Sequence, residues 1–182
     1  MSGGTDVCGP AEVIVREEGP GDAESVRAVV EAAFPTPAEA RLVDLLRARR
    51  KTTVSLVAEA DGRIVGLVLF SPVTIETPGG VVAAGLGLAP VAVHPARQRK
   101  GIGRRLIEQG IAACRGMKQP FVVVLGDPSY YQRFGFRPAR LWGIANEYQA
   151  EDEFMVVELR PGSVPEGGGL AKYTAEFAEA LG

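Results

Sequence analysis

Leu88-Ala89-Pro90-Val91-Ala92-Val93-His94-Pro95-Ala96-Arg97-Gln98-Arg99-Lys100-Gly101-Ile102-Gly103 opens the stretch that decides the fold. An amphipathic run to Met117 follows, then the apolar run Phe121–Leu125, and Tyr130-Tyr131-Gln132-Arg133-Phe134-Gly135-Phe136 closes it. It reads as strand, anion-binding loop, helix, strand and short helix. Leu106, Ile107, Gly110, Ile111 and Cys114 recur at helical spacing, with Arg104, Arg105, Glu108, Gln109 and Arg115 on the opposite face. Pro90 has no N–H to give a ladder, so strand pairing must be disturbed beside it by a bulge or a splayed edge.

The glycines of the loop let backbone approach a ligand closely, and the first turn of the following helix offers N–H groups without partners. Those donors and the positive end of the helix dipole attract phosphate. Arg97, Arg99, Lys100, Arg104 and Arg105 add charge at the same point. A glycine pair alone is also what an ordinary strand-to-helix turn contains. A nucleotide P-loop is excluded, because Gly103 is followed by Arg104-Arg105 where Lys-Ser/Thr is needed. A dinucleotide site needs a third small residue where Leu106 stands; Asp127, after the second strand, is its one matching feature.

Outward from this stretch, residues 12–17 alternate as an edge strand. Asp22 is a candidate N-cap for a helix over 23–34, and a second helix spans 38–49 after Pro35-Thr36-Pro37. Arg47, Arg49, Arg50 and Lys51 read as a solvated helix end. Residues 54–60 and 64–70 form a hairpin about Asp61-Gly62. Pro72 should interrupt pairing before a further segment at 73–76, and 81–93 is a long, nearly uncharged strand region. A last strand is expected at 153–159, a loop over 161–169 and a helix over 170–181.

At 182 residues, 46% hydrophobic and 23% charged, the chain suits one globular domain with its own core. Residues 1–11 read as a flexible tail, 12–160 as the domain, and 161–182 as a loop and helix packed on the domain or on a partner, a homodimer being one form. The net charge of −2 gives no global pull towards nucleic acid or membrane. No run is long and apolar enough to span a bilayer and no export signal is seen, so a cytoplasmic setting is expected. One histidine and two distant cysteines give no metal-ligand spacing; Cys114 reads as a buried thiol.

Gln98-x-x-Gly101-x-Gly103 behind a strand ending Val-x-Pro resembles the acetyl-CoA motif of the GNAT N-acetyltransferases, and Tyr131-Gln132-Arg133-Phe134-Gly135-Phe136 resembles that family's late Tyr-x-x-x-Gly-Phe element. The order and separation also agree, over about residues 13–160. Gly126-Asp127-Pro128-x-Tyr130-Tyr131 looks like a bacterial subfamily of predicted acetyltransferases, many without an assigned substrate. The resemblance implies a mixed α/β fold: a mostly antiparallel central sheet, one splayed parallel strand pair and flanking helices. It implies pantetheine along Val91, Ala92 and Val93, and pyrophosphate on Gln98, Arg99, Lys100, Gly101, Ile102, Gly103 and Arg104. It also implies direct attack of a primary amine of a small molecule or peptide on the thioester. Tyr131 would touch the cofactor and act as general acid. No acid stands in 81–93, where many relatives carry a base, so Asp127 is the nearest candidate, its other reading being a helix N-cap; Glu76 is remoter. His94 points to the phosphate side. The acceptor side falls, by position, at 34–41 and 142–148. A non-catalytic acyl-CoA-binding module is the alternative.

Overall fold

A computed structural model describes residues 12–182. The expected N-terminal tail, and Cys8 within it, lie outside the described residues. The chain begins with strand β1 (Val13–Glu17), helices α1 (Ala23–Ala33) and α2 (Ala38–Ala48), and strands β2 (Val54–Ala60), β3 (Arg63–Thr77) and β4 (Gly80–Val93). Helix α3 (Ile102–Gly116), strand β5 (Phe121–Leu125) and the short helix α4 (Pro128–Tyr131) follow. Strands β6 (Arg137–Pro138), β7 (Ile144–Asn146), β8 (Phe154–Glu158) and β9 (Gly169–Tyr173), then helix α5 (Ala175–Leu181), complete it. Among the described residues no helix is long and apolar enough to cross a membrane.

The sheet runs β1-β2-β3-β4-β5-β8-β6. Along that path β4 and β5 are parallel and every other pair is antiparallel. The β2–β3 hairpin turns on Asp61 and Gly62, both at positive φ (52° and 68°), as a two-residue turn matched to strand twist requires. Helix α3 lays Leu106, Ile107, Ile111 and Cys114 on one face of the sheet, against Val68, Phe70, Val122 and Val124. Each such aliphatic chain taken from water contributes about 1.5–3 kcal/mol. Burial also pushes the Cys114 thiol up to about 12, so it is an inert core group. Helices α1, α2 and α5 cover the other face over Val57, Leu67, Leu69 and Ala92.

Three local readings change. Asp22 stands at the N-cap position of α1 but makes no side-chain cap. Its carboxylate instead accepts from Arg16, at 2.6 and 3.1 Å, and from the Gly19 N–H at 2.7 Å; two guanidinium bonds outweigh one amide bond. Pro72 does not end a strand, because β3 continues through it to Thr77. That edge of β3 changes partner there: β2 pairs as far as Phe70, and β9 begins at Val73. Residues 170–181 are not one helix, since Leu170–Tyr173 join β9, antiparallel to β3 and parallel to β7. The four-residue spacing of Tyr173, Phe177 and Leu181 reads as helix and did not reveal a strand whose partner, β3, lies far upstream.

The disturbance expected at Pro90 is a bulge. Val68 is opposite Val91 and Phe70 opposite Leu88, so Ala89 and Pro90 share one position of β3. An extra residue reverses the alternation of side chains. Before the bulge Leu86 and Leu88 face α3; after it Val91 and Val93 do, and Ala92 turns to the α1–α2 side. Beta strands 4 and 5 pair only at Leu86–Val122 and Gly87–Val123, and beyond them the two part.

Candidate active site

The opening between β4 and β5 begins where the bulge lies. The His94 N–H donates to the Val65 carbonyl (2.9 Å), which turns the Val93 N–H and C=O away from β3 and, two residues back, those of Val91 as well. Val91 and Val93 therefore present backbone polar groups to the gap. Ala92 does not: its backbone faces β3 and its side chain is 2% exposed in the core. The Gln98 side chain donates to the Val93 carbonyl at 3.0 Å, which ties the loop to the strand and leaves the Val91 groups open.

A 3-10 turn, Pro95–Arg97, leads into the loop; His94 accepts there from the Ala96 N–H at 3.3 Å and serves as its cap. Arg99 (φ 60°) and Gly101 (φ 78°) are left-handed, which folds the loop back over the start of α3. At Gly101 a side chain would project into open space, so glycine is demanded by its φ. Arg97 pairs with Asp61 and Arg104 with Glu108, at 3.0 and 2.8 Å, while among the described residues Arg99, Lys100 and Arg105 have no carboxylate partner. The result is a cavity of about 500 Å³. Its walls include Val91 and Val93, Gln98 and Arg99, and Gly101 to Arg104. Lys100 lies beside it, its ammonium 3.5 Å from the Ala96 carbonyl.

Two further residues line this cavity that the sequence reading did not assign to it, Tyr130 and Arg133. The Arg133 guanidinium lies over the Tyr130 ring at 4.7 Å, and the Tyr130 hydroxyl is 3.5 Å from where a Gly103 side chain would begin. The spacing of three between them on a short helical segment was the available signal.

Tyr130 and Tyr131 separate two environments. Their rings meet edge to face at 5.2 Å, but Tyr131 turns into the core and is 8% exposed. Gly126 allows this, because a Cβ there would stand 2.4 Å from the Tyr131 ring. Burial pushes the Tyr131 phenol up to about 12, so it keeps its proton through the neutral range. Tyr131 lines a second cavity, of about 290 Å³, on the far side of Val91. Leu88 to Val91 of β4 and Leu125 of β5 line it from the sheet. Phe34, Glu39 and Leu42 line it from the α1–α2 side, and Tyr148, Tyr173, Phe177 and Leu181 from the C-terminal part of the chain. Both cavities include Val91, so they meet at the splay.

The candidate bases stand elsewhere. Asp127 caps α4, accepting from the N–H and the hydroxyl of Ser129, both at 2.8 Å, and these bonds hold its carboxyl below the usual carboxylate range. Neither cavity is lined by it. Glu76 pairs with Lys172 at 2.9 Å beside a separate hollow. Trp142 lies under Arg137, 5.6 Å from its ring, and packs on the third core cluster. Of the basic cluster at the end of α2, Arg47 pairs with Glu18 and Asp44, and Arg49 with Glu176 and Glu179. Among the described residues no group of acids, histidines or cysteines could hold a metal ion.

Residues 15–139 match the family model described as an acetyltransferase (GNAT) domain. The chain is 34% identical over 167 residues to the uncharacterized N-acetyltransferase YhbS of Escherichia coli, covering 91% of this chain and 98% of that one. The crystal structure of the Escherichia coli YhbS in complex with CoA is similar with a TM-score of 0.85 and 32% identity, over 93% of this chain and 94% of that chain. A GNAT family acetyltransferase from Brucella melitensis in complex with acetyl-CoA has a TM-score of 0.76 and 39% identity, over 92% of this chain and 99% of that chain.

Proposed function

The chain belongs to the GNAT acetyltransferase family, and from that premise we propose that it moves the acetyl group of acetyl-CoA to a primary amine by direct attack on the thioester. The observation that carries this reading is the meeting of two unlike cavities at Val91, one basic and rich in backbone N–H groups, the other apolar and bordered by Tyr131. Relatives solved with CoA and with acetyl-CoA support assigning the basic one to the cofactor.

In this reading the pyrophosphate lies on the amides of Arg99, Lys100, Gly101, Ile102, Gly103 and Arg104, where the dipole of α3 adds attraction. Pantetheine passes along Val91 and Val93, whose backbone groups have no strand partner beyond Gly87. Ala92 contributes only by holding β4 to β3. The thioester carbonyl receives the Val91 N–H, a donor fixed before charge develops on oxygen.

The amine nitrogen bonds to the acetyl carbon and the carbon–sulfur bond breaks, so one proton must travel from nitrogen to sulfur. In this reading Tyr131, which borders the second cavity beside Val91, is the donor to the departing sulfur. A phenol at about 12 is a weaker acid than a thiol at about 8.5, so it works by hydrogen bonding to the forming thiolate while the acidic nitrogen of the adduct supplies the proton. Asp127, held in its cap, is given no part in removing the amine proton; water is. The proposed setting is the cytoplasm.

A CoA-release assay over a panel of amines tests the reading. Tyr131→Phe is expected to lower kcat by about 10²-fold and to leave acetyl-CoA affinity near its original value. An unchanged kcat would remove the phenol from the reaction. Cofactor binding with no turnover on any amine would overturn the transferase reading itself.

A further inference from the structure

The apolar cavity contains one charged side chain, Glu39. Among the described residues its carboxylate has no cationic partner, and it accepts one side-chain hydrogen bond, from the Thr36 hydroxyl at a long 3.4 Å. The neighbouring Arg41 lines a different hollow, on the far side of α2. Glu39 is half-buried at the edge of these apolar walls, so its carboxylate is within reach of a cation that enters the cavity.

The walls limit what that cation is. Tyr148 and Tyr173 meet edge to face at 5.8 Å, and Tyr173 and Phe177 lie tilted at 4.5 Å, giving a run of three aromatic rings in the same cavity as Glu39. Aromatic faces and one carboxylate together suit an ammonium group. At the mouth, Leu125, Tyr148 and Leu181 are each 42% exposed, an apolar rim where solvent would favour polar residues. The volume of about 290 Å³ is at the small end for an organic ligand, so part of a larger acceptor would lie across that rim. Polycationic sugars and polyamines need several acids, and this cavity offers one.

We propose that the acceptor is a monocationic primary amine carried on an aromatic or aliphatic body, and that Glu39 binds its ammonium before the proton is lost. This rests on the acetyltransferase reading above and deepens it. Phenethylamine is the probe, with spermidine and an aminoglycoside as polycationic competitors and phenethyl alcohol as a neutral analogue of the same shape.

With the full chain, phenethylamine should be acetylated with a kcat/KM at least about tenfold above spermidine or the aminoglycoside. Glu39→Gln should raise its KM about tenfold or more, with a smaller change in kcat, and Glu39→Asp should recover part of the loss. Inhibition by phenethyl alcohol should be the same in Glu39→Gln as in the original protein, since it brings no charge, and acetyl-CoA affinity should not move. A preference for the polycations, or equal loss of the neutral analogue in Glu39→Gln, would overturn the assignment while the transferase reading stands. If no amine is turned over, titration of phenethylamine into the CoA-loaded protein still decides: binding lost in Glu39→Gln supports the site, and binding indifferent to it sinks the site.

Discussion

Tyr131 packs in the core and is the proposed donor in the chemistry, and its titration bears on both. A tyrosine in an unfolded chain titrates near 10. Burial raises this one to about 12, so the fold favours the protonated form. Its contribution to stability is therefore complete below about pH 10 and is lost as pH rises through about 12. The original protein should show a decline in stability over that window that is smaller in Tyr131→Phe, measured by denaturant unfolding. Turnover should likewise have no descending alkaline limb below about pH 10 that Tyr131→Phe abolishes; such a limb near neutrality would mean that the phenol ionises there and is not held protonated by burial. Gly101 makes a different demand. With φ at 78° and no neighbour to clash, Gly101→Val pays for backbone conformation alone, and the loop should yield. Acetyl-CoA affinity should fall about tenfold or more, read by equilibrium titration, with thermal stability changed little.

At the scale of elements, α3 is the piece that joins loop to core. A Cβ at Gly110 would stand 2.4 Å from the buried Phe70 ring, so this glycine sets how closely the helix approaches β3. Gly110→Ala improves intrinsic helix propensity by about 1 kcal/mol. Overpacking against Phe70 should outweigh that gain, for a net loss of about 1–2 kcal/mol in denaturant unfolding. A stabilised variant would mean that helix and sheet separate freely. The elements written in local signals were legible: the Asp61-Gly62 turn, the apolar stripes of α1, α2 and α3, and the glycine loop. The Pro90 bulge was legible too, because a missing N–H is a local fact. Strand β9 was not. Residues 170–173 are a strand only because β3 and β7 flank them, and no neighbour in sequence records that.

Across the whole molecule, charge is nearly balanced, yet cations gather at one opening. Net charge of −2 hides Arg99, Lys100 and Arg105 beside the start of α3, which have no carboxylate partner among the described residues. Exposed charges of this kind are screened within about 10 Å at 0.1 M salt. Acetyl-CoA affinity should weaken several-fold between about 0.05 and about 0.5 M sodium chloride, whereas kcat at saturating cofactor should hold. The residues proposed for the cofactor lie in one stretch of sequence, and those proposed for the acceptor are scattered. Position alone pointed to 34–41 and 142–148, and the second cavity takes Phe34, Glu39 and Tyr148 from them. Glu39 is one of 22 acids, and only the packing of α5 against α2 gives it a cavity to face. That packing is secured by Arg49, which reaches Glu179 at 2.7 Å and the buried Glu176 at 3.5 Å.

Part of the lining of the proposed acceptor cavity, Tyr148, Tyr173, Phe177 and Leu181, lies beyond the residues 15–139 that match the family model. The residues proposed for the cofactor and part of those proposed for acceptor choice thus occupy separate lengths of the chain. The same later stretch carries β8, which pairs with β5 from Phe121 to Leu125, so drift in the cavity wall is bounded by what the sheet beside it tolerates.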